Sequence, residues 1–340
     1  MIFLDSYARK AIIFIILLFV VFGVGCTLTE ASSVLLGVDA FFLLVACLFF
    51  VLSVIIWLFS WSYVIKKHTK LSFRKTIAVG AASFYGSLTP IQLGAEALRS
   101  LNLKKLYGIN YNESISASMV VKGAKFFVIG LFAAVFLFSY ILSSPLSIEL
   151  VLGYASGFFV ITLACMLFLL PINRAVGYSI AGFFAELSNL RLPFFSIFAK
   201  LSDFFKSYSE YLSRTAASTL FVVFFLCVVS WLFEIAALYF SFAALSIFIS
   251  METILVFATL IAVIERNPLL PRGLGLVELV GYYFLAMPSL VSGIALTSSQ
   301  IIAVIIVYDI VRLVVPTVFS IIISYPLLKM LEIQESRKSS

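Results

Sequence analysis

Lys122 and Lys125 stand three residues apart inside an apolar run, so on a helix they share one face. Asp309 and Arg312 repeat that spacing in a later apolar run, and Glu234 sits mid-run shortly after Trp231. Lys122 follows Glu113 by nine residues, about 13 Å along a helix, too deep to reach water easily. A charge at the centre of a membrane span costs about 2.5–3.5 kcal/mol on insertion scales, so such residues need a partner or a cavity. Two stretches interrupted by Pro and Gly add Glu96 and Arg99, then Glu265, Arg266, Arg272 and Glu278. These residue types allow two readings: ion pairs that join helices, or a polar cavity for a charged or zwitterionic head group. The candidate substrate-binding set is Glu96, Arg99, Lys122, Lys125, Glu234, Arg272, Glu278, Asp309 and Arg312. Its cations suit a phosphate, which Arg and Lys hold through charge-assisted hydrogen bonds. Helices that begin after Pro90 and Pro271 add backbone N–H donors.

Other chemistry lacks its residues. His68 is the one histidine and lies in a basic connection, so neither a His triad nor a His-based metal centre is available. Cys26, Cys47, Cys165 and Cys227 lie in apolar runs without CxxC spacing, so neither disulfides nor a metal site is expected. No Walker, GxSxG or dinucleotide motif occurs in a suitable context, and nothing orients a nucleophile beside the carboxylates. The sequence therefore predicts no catalytic residue, no cofactor and no enzyme.

The elements that position these charges are membrane helices. Apolar types make up 63% of the 340 residues and charged types 11%, with a mean hydropathy of +1.17, far from the balance of a soluble domain. Six runs are long enough to span a bilayer, about 11–29, 40–65, 114–142, 147–171, 216–243 and 299–325, and must be helical because lipid satisfies no backbone group. Arg9 and Lys10 before the first run resemble a signal peptide, but the run is long and lacks a convincing cleavage site, so an uncleaved span is expected. The interrupted stretches, about 77–98 and 254–290, read as re-entrant segments with turns at Pro90 and Gly94, and at Pro271, Gly273 and Gly275.

Charge orients the chain. The connections 66–75 and 99–113 hold Lys66, Lys67, Lys70, Arg74, Lys75, Arg99, Lys104 and Lys105 against the single acid Glu113, and so belong in the cytoplasm. Connection 172–214, with five bases and three acids, joins them, as does the tail with Lys329, Arg337 and Lys338. The loops with Glu30 and Asp39, Glu149, and Glu252 fall outside. Both termini come out cytoplasmic, with the two hairpins entering from opposite faces. The net charge of +7 is then a topology signal beside anionic lipid, and nucleic acid is not a partner. Residues 192–205 place apolar side chains at helical spacing, which suits an amphipathic helix either on the inner leaflet or packed on the bundle.

The interrupted stretches also align with each other. Pro90 to Leu98 and Pro271 to Leu279 both read P-x-x-L-G-x-x-x-L at an offset of 181 residues, each with an acid near the end. With the charge-derived topology, this predicts an all-α polytopic fold, an inverted repeat of three spans and one hairpin per half. The halves are about 1–142 and 147–325 of one membrane domain, with a cytoplasmic tail at 326–340.

The stretch Ser87-Leu88-Thr89-Pro90 through Ala97-Leu98-Arg99, then Ala117 to Val121, and later Leu270-Pro271-Arg272-Gly273-Leu274-Gly275-Leu276-Val277-Glu278, resembles the transmembrane flippase-like region of lysylphosphatidylglycerol synthases. Arg99, Gly275 and Glu278 match that family's motifs. Leu93-Gly94-Ala95-Glu96 replaces its Gly-Gly-Asp pattern, and Lys122-Gly123 stands where an acid–Arg pair is common. The resemblance implies a stand-alone member, without the soluble transferase domain of full-length synthases, in the cell membrane. It implies a lipid flippase or transporter with membrane lipids as partners. The alternative is a membrane partner or scaffold for a separately encoded lipid-modifying transferase, and a homo-oligomer is compatible with either.

Overall fold

The computed structural model describes residues 30–84, 94–143, 148–189, 196–265, 273, 275–288, 291 and 294–324. The expected span at 11–29, Pro90, Pro271, Arg266, Arg272 and the tail at 326–340 lie outside them. Every regular element among the described residues is helical.

Capping residues in front of apolar runs set the long helices. After the short α1 (Ala31–Leu36), Asp39 accepts the N–H groups of Phe41 (2.8 Å) and Phe42 (3.4 Å) and starts α2 (Ala40–His68). That helix ends on Lys66, Lys67 and His68, and the two lysines are cations that suit its C-terminal dipole. α5 (Tyr111–Ser143) and α9 (Ala217–Ala243) are apolar too, α5 less so than the others. α12 starts at Ser298 behind the reciprocal Thr297–Gln300 cap and continues to Ser324. These four helices are long and apolar enough to cross a membrane. α6 (Ile148–Leu169) covers another expected span with 22 residues. The chain is therefore a multi-pass membrane protein.

The two interrupted stretches fold as pairs of short helices, α3 (Phe73–Ala82) with α4 (Gly94–Tyr107), and α10 (Met251–Glu265) with α11 (Leu276–Leu285). At 10 to 15 residues, none has the roughly 20 needed to span. Gly275 caps α11, and its motif counterpart Gly94 is the first described residue of α4.

α2 and α9 lie antiparallel along their whole length. Asp39 N–H reaches Ala244 O (2.8 Å) at one end, Phe49 stacks on Phe240 (5.4 Å) and the Ser53 and Ser230 hydroxyls meet (2.9 Å) along the middle, and His68 contacts Thr215 (3.0 Å) at the other end. α12 is the most enclosed span, with 67% of its most apolar window buried against 28% for α2 and 33% for α9. It is the helix that carries Asp309 and Arg312. Pro316 offers no N–H to the Arg312 carbonyl, and the helix widens into a π turn over Ile310–Val314 just before it.

The connection 172–214 is more than one amphipathic helix. α7 (Arg174–Ser188), capped by Asn173, pairs with α8 (Ser196–Ser213). They cross so closely at Gly177 that a Cβ there would stand 2.4 Å from Ser209 Oγ. Phe205, Tyr208, Tyr211 and Leu212 bury the apolar face of α8, and Tyr208 donates to Phe168 O (2.6 Å). The packed alternative thus holds over most of α8; residues 192–195 lie outside the described ones.

Candidate functional site

The charges anticipated from sequence fall into three groups inside the bundle. In the first, Glu96 in the first turn of α4 meets Lys122 on α5 (2.9 Å), with Glu96 almost fully buried. One turn along α4, Arg99 is 1% exposed. Its guanidinium lies over the rings of Trp57 (4.2 Å) and Trp61 (5.2 Å) on α2, and its Nε donates to Ser83 Oγ (2.8 Å). Stacked indoles hold a guanidinium by cation–π attraction without using its N–H donors. Two polar atoms here are without a hydrogen-bond partner among the described residues: Arg99 Nη2 and Glu96 Oε2.

In the second group, Lys125, one turn beyond Lys122, reaches Glu234 Oε1 on α9 (2.6 Å), which also accepts from Ser53 Oγ on α2 (3.0 Å). Three helices converge on one carboxylate oxygen. Small residues such as Ser53 and Ser230 allow that approach and supply hydroxyls in place of water.

The third group is built on Arg312, which is fully buried. Its Nε donates to Asp309 Oδ1 (2.5 Å), Nη1 to Glu265 Oε1 (2.8 Å) at the end of α10, and Nη2 to Glu278 Oε1 (2.7 Å) in the first turn of α11. Glu278 Oε2 also accepts the Gly275 N–H (2.5 Å), so the carboxylate both caps α11 and holds the arginine. Gly275, at φ +85°, is in a backbone conformation that favours glycine. Tyr308 on α12 lies within electrostatic reach of Glu234 in the second group and of Glu265, Asp309 and Arg312 in the third.

Each described member of the expected set is therefore brought to an ion pair or a stack. The Lys122–Gly123 departure from the family pattern is met by Glu96, which supplies the lysine with its acid, while Gly123 admits α6, where an added Cβ would meet Phe168 Cβ at 2.8 Å. Glu265, which sequence leaves at the rim of its segment, belongs to the core of the third group. Sequence reasoning missed Trp57, Trp61, Ser83 and Ser53. The signal was present in serines embedded in apolar helices and in two tryptophans at i, i+4. Two apolar grooves of about 370 and 270 Å³ lie on the opposite flank of α5, along Ala124, Phe127, Gly130, Ile161 and Phe224, away from the charges.

No curated protein and no solved structure matches this chain. Residues 9–320 match the family model described as the lysylphosphatidylglycerol synthase TM region, which covers all three charged groups. The chain belongs to the family defined by the transmembrane region of lysylphosphatidylglycerol synthases, whose name ties it to membrane lipid.

Proposed function

We propose that the protein is a lipid flippase of the cell membrane that carries a phosphate-containing head group through a site between two inverted halves. The observation that carries this reading is the first group: a buried donor at Arg99 Nη2 and a buried acceptor at Glu96 Oε2, one helical turn apart, with no partner among the described residues. Leaving such atoms unpaired costs about 1–3 kcal/mol each or more, a cost that a bound anionic or zwitterionic ligand removes. The indoles fix the guanidinium plane for phosphate, and the apolar grooves outside α5 suit acyl chains.

Inverted halves are supported by the register of the helices. Shifted by 181 residues, α2, α3, α4 and α5 fall on α9, α10, α11 and α12 with their ends matching to within six residues. Ser53 and Glu234, separated by that same offset, touch each other. Contact between equivalent positions of antiparallel helices is what a two-fold axis passing between α2 and α9 requires. On this reading α3–α4 and α10–α11 are re-entrant hairpins from opposite faces, and the Lys66–Lys75 connection and both termini are cytoplasmic. The chain is assigned transport and no catalysis.

The test is translocation of a head-group-labelled phospholipid in proteoliposomes. Arg99→Ala is expected to cut the rate about tenfold to a hundredfold, the equivalent of losing one hydrogen bond to a charged group. A rate unchanged in the variant, or no wild-type rate above empty vesicles, overturns the reading.

A further inference from the structure

The third group contains one cation and three carboxylates among the described residues. The hydrogen bonds show how its acids differ. Glu278 has a donor on each oxygen, Arg312 Nη2 on Oε1 and the Gly275 N–H on Oε2. Glu265 Oε1 takes Arg312 Nη1, and Asp309 Oδ1 takes Arg312 Nε. Asp309 Oδ2 is fully buried and has no donor among the described residues, while Asp309 and Glu278 take the adjacent Nε and Nη2 of one guanidinium, which holds the two carboxyls side by side. Two carboxylates cannot share such a place when both are ionised, whereas one proton converts the repulsion into an O–H···O bond. With a donor already on each Glu278 oxygen, the proton belongs on Asp309, which then donates to Glu278 and still accepts from Arg312.

The charged and titratable groups around this pair come from every packed element. Tyr308 and Arg312 lie on α12 itself, Glu265 on α10, Glu278 on α11, and Glu234 on α9 with Lys125 of α5 behind it. α2 brings Cys47 to the Val311 side, and α1 carries no titratable residue.

We propose that Asp309 carries an exchangeable proton, hydrogen-bonded to Glu278, and that its release to water accompanies each transport step. The second clause rests on the flippase reading; the first does not. Release leaves an Asp309 carboxylate that repels Glu278 and competes for Arg312, so the first turn of α11 loses its hold on α12. The element displaced is the interrupted segment itself, next to the π turn at Ile310–Val314 where α12 is already deformable. The atoms balance as one O–H bond broken on Asp309 and one proton gained by water.

The experiment has two arms on the purified full-length protein. Infrared spectroscopy at neutral pH is expected to show the C=O stretch of a protonated carboxyl that is lost in Asp309→Asn, shifted in Glu278→Gln, and retained in Glu252→Gln at the exposed start of α10. Absence of the band, or its persistence in Asp309→Asn, overturns the proton site. Because the Glu278→Gln variant reads a shift rather than a loss, misfolding of Asp309→Asn alone does not decide the matter. In proteoliposomes, a pH gradient is expected to change the wild-type lipid rate several-fold and to leave Asp309→Asn indifferent. A wild-type rate blind to the gradient overturns the coupling. No wild-type transport at all overturns the flippase reading and with it the coupling, while the infrared band still decides the proton site.

Discussion

The two interrupted segments start from matching helices and carry opposite electrostatic designs. Around α4, cations are distributed singly: Lys122 holds Glu96, Lys125 holds Glu234, and Arg99 is held by two indoles and a serine. Around α11, among the described residues, one arginine is ringed by three acids. Position for position the charges do not correspond, since Arg99 aligns with Val280, Lys122 with Ala303 and Arg312 with Leu131 at the 181-residue offset. The shared backbone plan has been loaded with a cation holding an unpartnered donor on one side and a closed acid cluster on the other. A bound lipid phosphate fits the first side, and internal rearrangement of protons and helices fits the second.

The largest break in this contrast is Arg312→Ala. Removing this arginine deprives Glu265, Glu278 and Asp309 of the cation they share, and breaking a buried ion pair by deleting one partner costs about 3–5 kcal/mol. Expected is a protein that loses monodisperse elution in detergent or unfolds at a clearly lower temperature, with Arg312→Lys intermediate because it replaces a planar fork by a point charge. Near-native thermal stability of Arg312→Ala would show that the acid cluster does not depend on its arginine. Arg99→Ala should behave in the opposite way, impairing transport while the protein remains folded.

Much of this was legible in the sequence, for identifiable reasons. Long apolar runs marked α2, α5, α9 and α12, because a bilayer accepts few other patterns, and the depth of Lys122, Lys125, Glu234, Asp309 and Arg312 singled them out. Partner identity was not legible. The i, i+3 spacing of Asp309 and Arg312 revealed one contact, but Glu265 and Glu278 reach the same guanidinium from separate helices, which no local periodicity encodes. Trp57, Trp61 and Ser83 read as ordinary membrane-helix residues until α4 is folded against them. The α7–α8 pair was compressed to one amphipathic stretch because Gly177, the residue that lets two helices touch, leaves no apolar signal.

A medium-sized effect tests whether pairing around α4 is as local as it looks. Glu96→Gln and Lys122→Met, singly and together, form a double-mutant cycle read by thermal unfolding. A coupling of about 0.5–3 kcal/mol is expected for residues in direct contact, and crossing Glu96→Gln with Lys125→Met should give additivity within about 0.5 kcal/mol. Strong coupling between Glu96 and Lys125 would merge the first two groups into one network and blur the contrast with α11.

The smallest effect separates backbone strain from the acid cluster. Gly108, after α4, and Gly275, before α11, both have positive φ, +68° and +85°, and neither has an atom within 4 Å of an added Cβ. Alanine should cost about 1–2 kcal/mol at Gly108 from its positive φ, and at least that at Gly275, whose φ +85° and ψ −42° lie outside the left-handed helical region. Only the Gly275 amide also holds Glu278, whose other oxygen binds Arg312. Gly108→Ala is therefore expected to lower the unfolding temperature and leave the protonated-carboxyl band unmoved. Gly275→Ala should lower it by at least as much and also shift the band, because a displaced Glu278 changes what Asp309 donates to. Identical spectra for the two variants would mean that the cap of α11 and the acid cluster are independent, and that Glu278 serves the helix more than it serves the site.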